Sequence, residues 1–199
     1  MIKCNVTVIG KVFRPVELKE DRNGNPFVTF GVSVLLKDNQ ESKNIDISVA
    51  SNGDDNTVLA LKPGDRVRIE GVLSFKSRGD LFFFNLSADK TSRAGSDTDS
   101  VSGTLLFRGT LGSKDILERQ GKKGGLKTFD AYSSERINEN EYAYTWVHFV
   151  LYEEKSPDWL LPKAKIEAEG DLQLQLYNDR VSINCRIKSI GQWDKNKNN

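Results

Sequence analysis

A Pro-Gly turn, an alternating strand and a strand-interior glycine follow one another in Leu61-Lys62-Pro63-Gly64-Asp65-Arg66-Val67-Arg68-Ile69-Glu70-Gly71-Val72-Leu73. Ninety-nine residues later the same pattern returns in Leu160-Leu161-Pro162-Lys163-Ala164-Lys165-Ile166-Glu167-Ala168-Glu169-Gly170-Asp171-Leu172. Leu, Pro, Glu, Gly and Leu recur at matching places. The offset also aligns Gly10 with Gly109, Leu18 with Leu117, Thr29-Phe30 with Thr128-Phe129, Asp80 with Asp179 and Asn85 with Asn184. Matches that gather on turn residues, strand glycines and inward positions argue for one β-module used twice. The second copy has Lys163 and Ala164 where the first has Gly64 and Asp65, so its turn is expected to have drifted.

Each copy holds about five short strands. Asn5 to Val12 is β-branched and alternating, with Gly10 inside it. Asn23-Gly24 then supplies a turn. In Phe27 to Leu36, Val28, Phe30, Val32 and Val34 share one face, with Phe27, Thr29, Gly31 and Ser33 opposite. Ile45, Ile47 and Val49 alternate with polar residues, and residues 52–60 leave room for at most a short helix. Val67 and Ile69 point inward in the fourth strand. In the fifth, Phe82, Phe84, Leu86 and Ala88 face the core and Phe83 faces out, by analogy with Val181, Ile183, Cys185 and Ile187. Residues 91–104 turn to Ser, Asp, Gly and Thr. The expected organisation is all-β: two tandem five-stranded Greek-key OB-fold barrels at 1–91 and 105–193, a solvated linker at 92–104 and a polar tail at 194–199. An SH3-like barrel or a small sandwich satisfies the same periodicity.

Composition narrows the function. At 37% hydrophobic and 29% charged the 199-residue chain has the make-up of a globular protein. No apolar run reaches the roughly 20 residues of a spanning helix. Met1 leads straight into strand-like sequence, so no membrane association and a cytoplasmic location are expected. Cys4 and Cys185 lie in different halves with no partner at ligand spacing, which points to neither a disulfide framework nor a metal site. Up to residue 95, 14 basic and 12 acidic residues leave +2, and the remainder, 15 against 16, carries −1. A nucleic-acid site must therefore come from local clustering. His148 is the only histidine, and no nucleophile elbow or phosphate loop accompanies it, so neither catalysis nor a cofactor is expected.

The first half resembles the bacterial single-stranded-DNA-binding protein family. The resemblance rests on Asn5-x-Thr7-Val8-Ile9-Gly10-Lys11-Val12, on Pro15-Val16-Glu17-Leu18-Lys19, on Asn23-Gly24 ahead of Val28 to Val34, on residues 61–73, and on Phe82 through Asp89. The second half is similar through the repeat and through Thr145-Trp146-Val147-His148-Phe149-Val150-Leu151-Tyr152. The resemblance implies an OB fold that coats single-stranded DNA without sequence preference in replication, repair or recombination. It carries a base-stacking Trp onto Trp146 and a second aromatic onto Tyr152. Residues 44–49 have no aromatic, which speaks against equal binding by the two halves. Family members commonly work with four OB folds, as tetramers or as dimers of chains with two, so the resemblance implies a homodimer or a monomer here, and the acidic, Phe-terminated recruitment tip of the family is not seen in residues 193–199.

Single-strand binding needs aromatic faces for bases and cations for phosphates. Period-two geometry puts Tyr142, Tyr144, Trp146 and His148 on one face of the second copy's third strand and Ala143, Thr145, Val147 and Phe149 on the other. The strict offset aligns Tyr144 and Trp146 with inward Ile45 and Ile47. The outward assignment is favoured because Val147, Phe149 and Leu151 make the better core, and it needs a one-residue slip. Phe27 is the stacking candidate of the first half. The phosphate candidates are Lys11, Arg14, Arg22, Lys76 and Arg78 there and Lys122, Lys123 and Lys127 in the second. A competing reading is an OB-type adaptor whose Phe27, Phe83 and Trp193 are covered by partner protein.

Overall fold

The computed structural model describes the chain except residues 39–40, 54, 79–80, 122–123, 140, 153–156, 179 and 195–199, and except the side chains of 38, 41, 77, 78, 81, 120, 121 and 124. The expected polar tail therefore falls almost wholly outside the described residues. The chain divides into two compact units: a first of Cys4–Gly103 with Gln175–Val181, and a second of Met1–Lys3, Thr104–Leu174 and Ser182–Asn199.

The first unit is built from β1 (Ile2–Glu20), β2 (Pro26–Asp38), β3 (Glu41–Asn52), β4 (Arg66–Arg78) and β5 (Leu81–Arg93), with the single turn of α1 (Asn56–Leu59) between β3 and β4. β1 is longer than alternation predicts because it changes partner. Its start pairs with β4 (Cys4↔Leu73 to Lys11↔Arg66), its end with β2 (Glu17↔Thr29 to Glu20↔Pro26), and the register shifts between Val12 and Glu17 bend it from one to the other. β2 pairs with β3, β3 runs parallel to β5 (Ile47↔Phe84), and β5 returns to β4. The pairings thus form a closed cycle, β1-β2-β3-β5-β4-β1. Val28, Phe30, Val32, Val34, Ile47, Val67 and Ile69 are fully buried inside it, as their alternation predicts, and Phe83 is exposed. Val58 joins them because the Asp55 carboxylate accepts the Thr57 and Val58 N–H groups at 2.9 and 3.3 Å and so starts α1.

At the β1–β2 turn, Asp21 accepts the side-chain amide of Asn25 at 3.0 Å and the backbone N–H groups of Asn25 and Asn23 at 2.9 and 2.8 Å. These bonds, the Asn25 side chain foremost, hold its carboxyl below the ordinary range. The stretch expected as a linker is partly strand, since β5 continues to Arg93. Its next residues are anchored: Arg66 pairs with Asp99 at 2.6 Å, and Asp99 also accepts the Leu35 N–H at 2.8 Å.

In the second unit β6 (Ser100–Leu111), β7 (Leu117–Gly121), β8 (Gly124–Arg136), β9 (Tyr142–Leu151), β10 (Lys165–Tyr177) and β11 (Arg180–Gln192) repeat the scheme. β6 pairs with β10 and β8, β8 with β9 and β7, and β9 runs parallel to β11, which neighbours β10. Gly109↔Ile166 repeats Gly10↔Val67 ninety-nine residues on. β7 stands where the end of β1 stands in the first unit.

Two features of the repeated signature have direct structural causes. A Cβ on Gly71 would lie 2.1 Å from the Ser87 carbonyl oxygen, and one on Gly170 2.1 Å from that of Arg186. Only glycine allows the neighbouring strand so close. The turn before the signature is retained, against the expectation that it had drifted. Gly64 has φ +99 and donates its N–H to Val12 O at 2.8 Å; Lys163 has φ +67 and donates to Leu111 O at 3.2 Å, the corresponding bond. An L-residue held in the left-handed region costs about 1–2 kcal/mol, part of which glycine's greater unfolded-state freedom offsets. Lys163→Gly should therefore raise stability by about 0.5–1 kcal/mol in chemical denaturation. An unchanged or lower midpoint would refute the strain.

Candidate nucleic-acid interface

β9 resolves its two-faced sequence by burial. Val147, Phe149 and Leu151 are buried, with Phe149 edge-on to Phe107 at 5.0 Å and stacked on Phe129 at 5.4 Å. Tyr142, Tyr144 and Trp146 are 50, 52 and 50% exposed on the other face. The register gives the reason. Phe129 pairs with Phe149 where Phe30 pairs with Val49, so the offset is ninety-nine in β8 but one hundred in β9. The added residue lies between Arg136 and Tyr142, paired like Lys37 and Ser42. Trp146 thus corresponds to Asp46, not to inward Ile47.

The outward aromatics form a cluster through a residue that the sequence reading missed. Tyr132 of β8 lies directly across from Trp146, its ring 5.0 Å from the indole at 53° and 5.5 Å from the Tyr144 ring at 74°. Such tilted and edge-to-face contacts suit aromatic quadrupoles and fix the rings relative to one another. The signal was the alternation of β8: Phe129, Ala131 and Ser133 are inward, so Tyr132 had to face out. Beside the cluster, His148 Nδ1 lies 2.8 Å from Asp130 Oδ1. The far edge of the indole reaches Gly112, where a Cβ would sit 3.4 Å from Trp146 Cζ3. Tyr152, exposed just past β9, has the Arg186 guanidinium 4.9 Å from its ring centroid.

The first unit's corresponding face is polar. Lys11 pairs with Ser33 and Ser33 with Asp46 in one row, where the second unit has Thr110, Tyr132 and Trp146. Arg14 donates to Phe30 O and to Ser48 Oγ, both at 3.2 Å. Phe27 is half-buried at the end of this face, opposite Lys19 and Asn52. Arg22 is exposed in the β1–β2 turn, and Lys76 is exposed directly across from Phe83.

The other four cation expectations stand apart. Lys122 and Lys123 lie outside the described residues, as does the side chain of Arg78. Lys127 needs correction as a phosphate ligand, being only 3% exposed, with Nζ 3.5 Å from a carboxylate oxygen of Glu118. Ninety-nine residues earlier stands inward Val28, so the repeat itself marked this position as core. Both cysteines are buried. Desolvation, then the Asp171 carboxylate, pushes the Cys185 thiol up to about 12, leaving it protonated and unreactive near neutrality.

A first unit whose strands close in the order β1-β2-β3-β5-β4, with α1 the single helix among the described residues, is of the OB-fold class. Residues 4–80 match the Single-strand binding protein family, and this part of the chain is similar to SSB-type OB-fold proteins. The wild-type single-stranded DNA binding protein from Thermus aquaticus has a similar fold, with a TM-score of 0.52 at 13% identity over 98% of this chain and 94% of that one. A deletion mutant of the Thermus aquaticus protein gives a TM-score of 0.50 at 14% identity over 98% of this chain and 95% of that one. A search of curated protein sequences gave no match.

Proposed function

We propose that the chain binds single-stranded DNA without sequence preference, protecting it in replication, repair or recombination. In this reading the two units are tandem five-stranded Greek-key OB barrels derived by internal duplication, and they divide the work unequally. The observation that carries it is the outward Tyr132–Tyr144–Trp146 cluster on an OB-type sheet, with the rings fixed against one another and Tyr144 and Trp146 half in solvent. Flat π-surfaces of this kind accept any base, at roughly 1–3 kcal/mol for each base stacked. Tyr142 and Tyr152 extend the aromatic surface along β9. Lys11, Arg14, Arg22 and Lys76 are the described cations assigned to phosphates, in the first unit, and Phe27 is a minor contact. Pairing of two chains would bring four OB folds together, which solution mass with and without a long oligonucleotide tests.

Tryptophan fluorescence is the direct test. Oligo-dT should quench Trp146, and the binding constant should fall with salt by about 0.7 log unit per log unit of salt for each phosphate neutralised. Absence of both quenching and salt-dependent binding would refute the proposal and leave the adaptor reading.

A further inference from the structure

The Arg186 and Tyr152 pair lies beyond the aromatic cluster along the same strand, on a face that β9 and β11 build together. β11 runs parallel to β9 with Asn184↔His148 and Arg186↔Val150 as partners. Between Cys185 and Ile187, both buried, the Arg186 side chain is exposed, and its guanidinium lies 4.9 Å from the Tyr152 ring centroid. Cation–π contact takes up one face of that ring and aligns the guanidinium, and Tyr152 is still 54% exposed. From Trp146 to Tyr152 the chain advances six residues, about 20 Å at the usual strand rise. Several nucleotides of an extended single strand fit that length.

We infer that Arg186 is a phosphate-binding residue of this chain, held over Tyr152 so that a base stacking on the ring's other face places its phosphate against the guanidinium. This rests on the proposed single-strand binding. It adds a polar end to the aromatic track: bases stack at Trp146 and again at Tyr152, and the strand therefore follows β9. Arginine is suited to this place. Its planar fork stacks on the ring and still directs N–H groups outward in the plane, which an ammonium cannot do. The nearby Lys188 is already engaged, 2.5 Å from Asp171.

The test is a comparison of Arg186→Ala, Arg186→Lys, Tyr152→Ala, the Arg186→Ala and Tyr152→Ala pair together, and Trp146→Ala with the unchanged chain, using oligo-dT at several salt concentrations. Circular dichroism melting checks that each variant is folded. Arg186→Ala should weaken binding roughly fivefold to tenfold and lower the slope of log K against log salt by about 0.7, the loss of one phosphate contact. Arg186→Lys should restore the slope but not the full affinity, and Tyr152→Ala should remove most of the additional effect of Arg186→Ala. A folded Arg186→Ala with unchanged affinity and slope, beside a weakened Trp146→Ala, would overturn the assignment while sparing the wider reading. Failure of the unchanged chain to bind at all would overturn both.

Discussion

Trp146→Ala is expected to weaken oligo-dT binding roughly tenfold to a hundredfold, the equivalent of one to two stacked bases. The indole is half exposed, and Tyr132 packs against it at 53° without covering it, so one broad π-face remains for a base. Removing it also frees the Tyr132 ring, which makes the loss larger than one isolated contact. Trp146→Phe should keep most of the affinity, because the ring surface matters more than the indole N–H. Phe27→Ala should change binding by no more than about twofold: its surroundings are Lys19, Asn52 and a polar sheet face with Asp46 where the second unit has Trp146. The measurement is a fluorescence or anisotropy titration at fixed salt. Equal losses for Trp146→Ala and Phe27→Ala would contradict the unequal division between the units.

That asymmetry shows how far the sequence could be read. Inward positions such as Val28, Phe30, Ile47 and Ile69 were legible because a half-buried strand alternates with period two, and the ninety-nine-residue repeat stated the pattern twice. The long β1 was not, because a strand that bends from β4 to β2 has no single alternation to show. β9 was ambiguous for a different reason: both its faces are apolar, and one extra residue in the preceding turn shifts the repeat from ninety-nine to one hundred. Tyr132 went unnoticed among Asp130, Ser133 and Ser134, since a lone aromatic in a polar run gives no local signal until its cross-strand partner is known. Lys127 was misread because a cation is usually solvated, although the repeat placed it opposite Val28. The Arg186 and Tyr152 contact depends on parallel pairing of residues thirty-six apart in sequence, which no local pattern encodes. Lys163 shows the reverse: its composition argued against a left-handed turn that the fold imposes anyway.

Phe149→Ala should destabilise the second unit by about 3–5 kcal/mol, the usual cost of emptying a large aromatic site in a packed core. Phe149 is fully buried between Phe107 and Phe129, and both rings would lose a face. Against a domain stability of about 5–15 kcal/mol, that is a large fraction. Trp146, three residues earlier on the same strand, should behave differently: Trp146→Ala should move the denaturation midpoint by the equivalent of only about 1 kcal/mol, the loss of its contact with Tyr132, while its effect on DNA is large. The two substitutions therefore cross. One removes stability and, through unfolding of the unit, binding as well; the other removes binding from a chain that still melts normally. Had β9 kept the strict repeat, with Trp146 in the place of Ile47, the two results would exchange. A Trp146→Ala chain that loses several kcal/mol, beside a Phe149→Ala chain of unchanged stability, would reverse the faces of β9 and leave the proposed binding surface without its stacking residue.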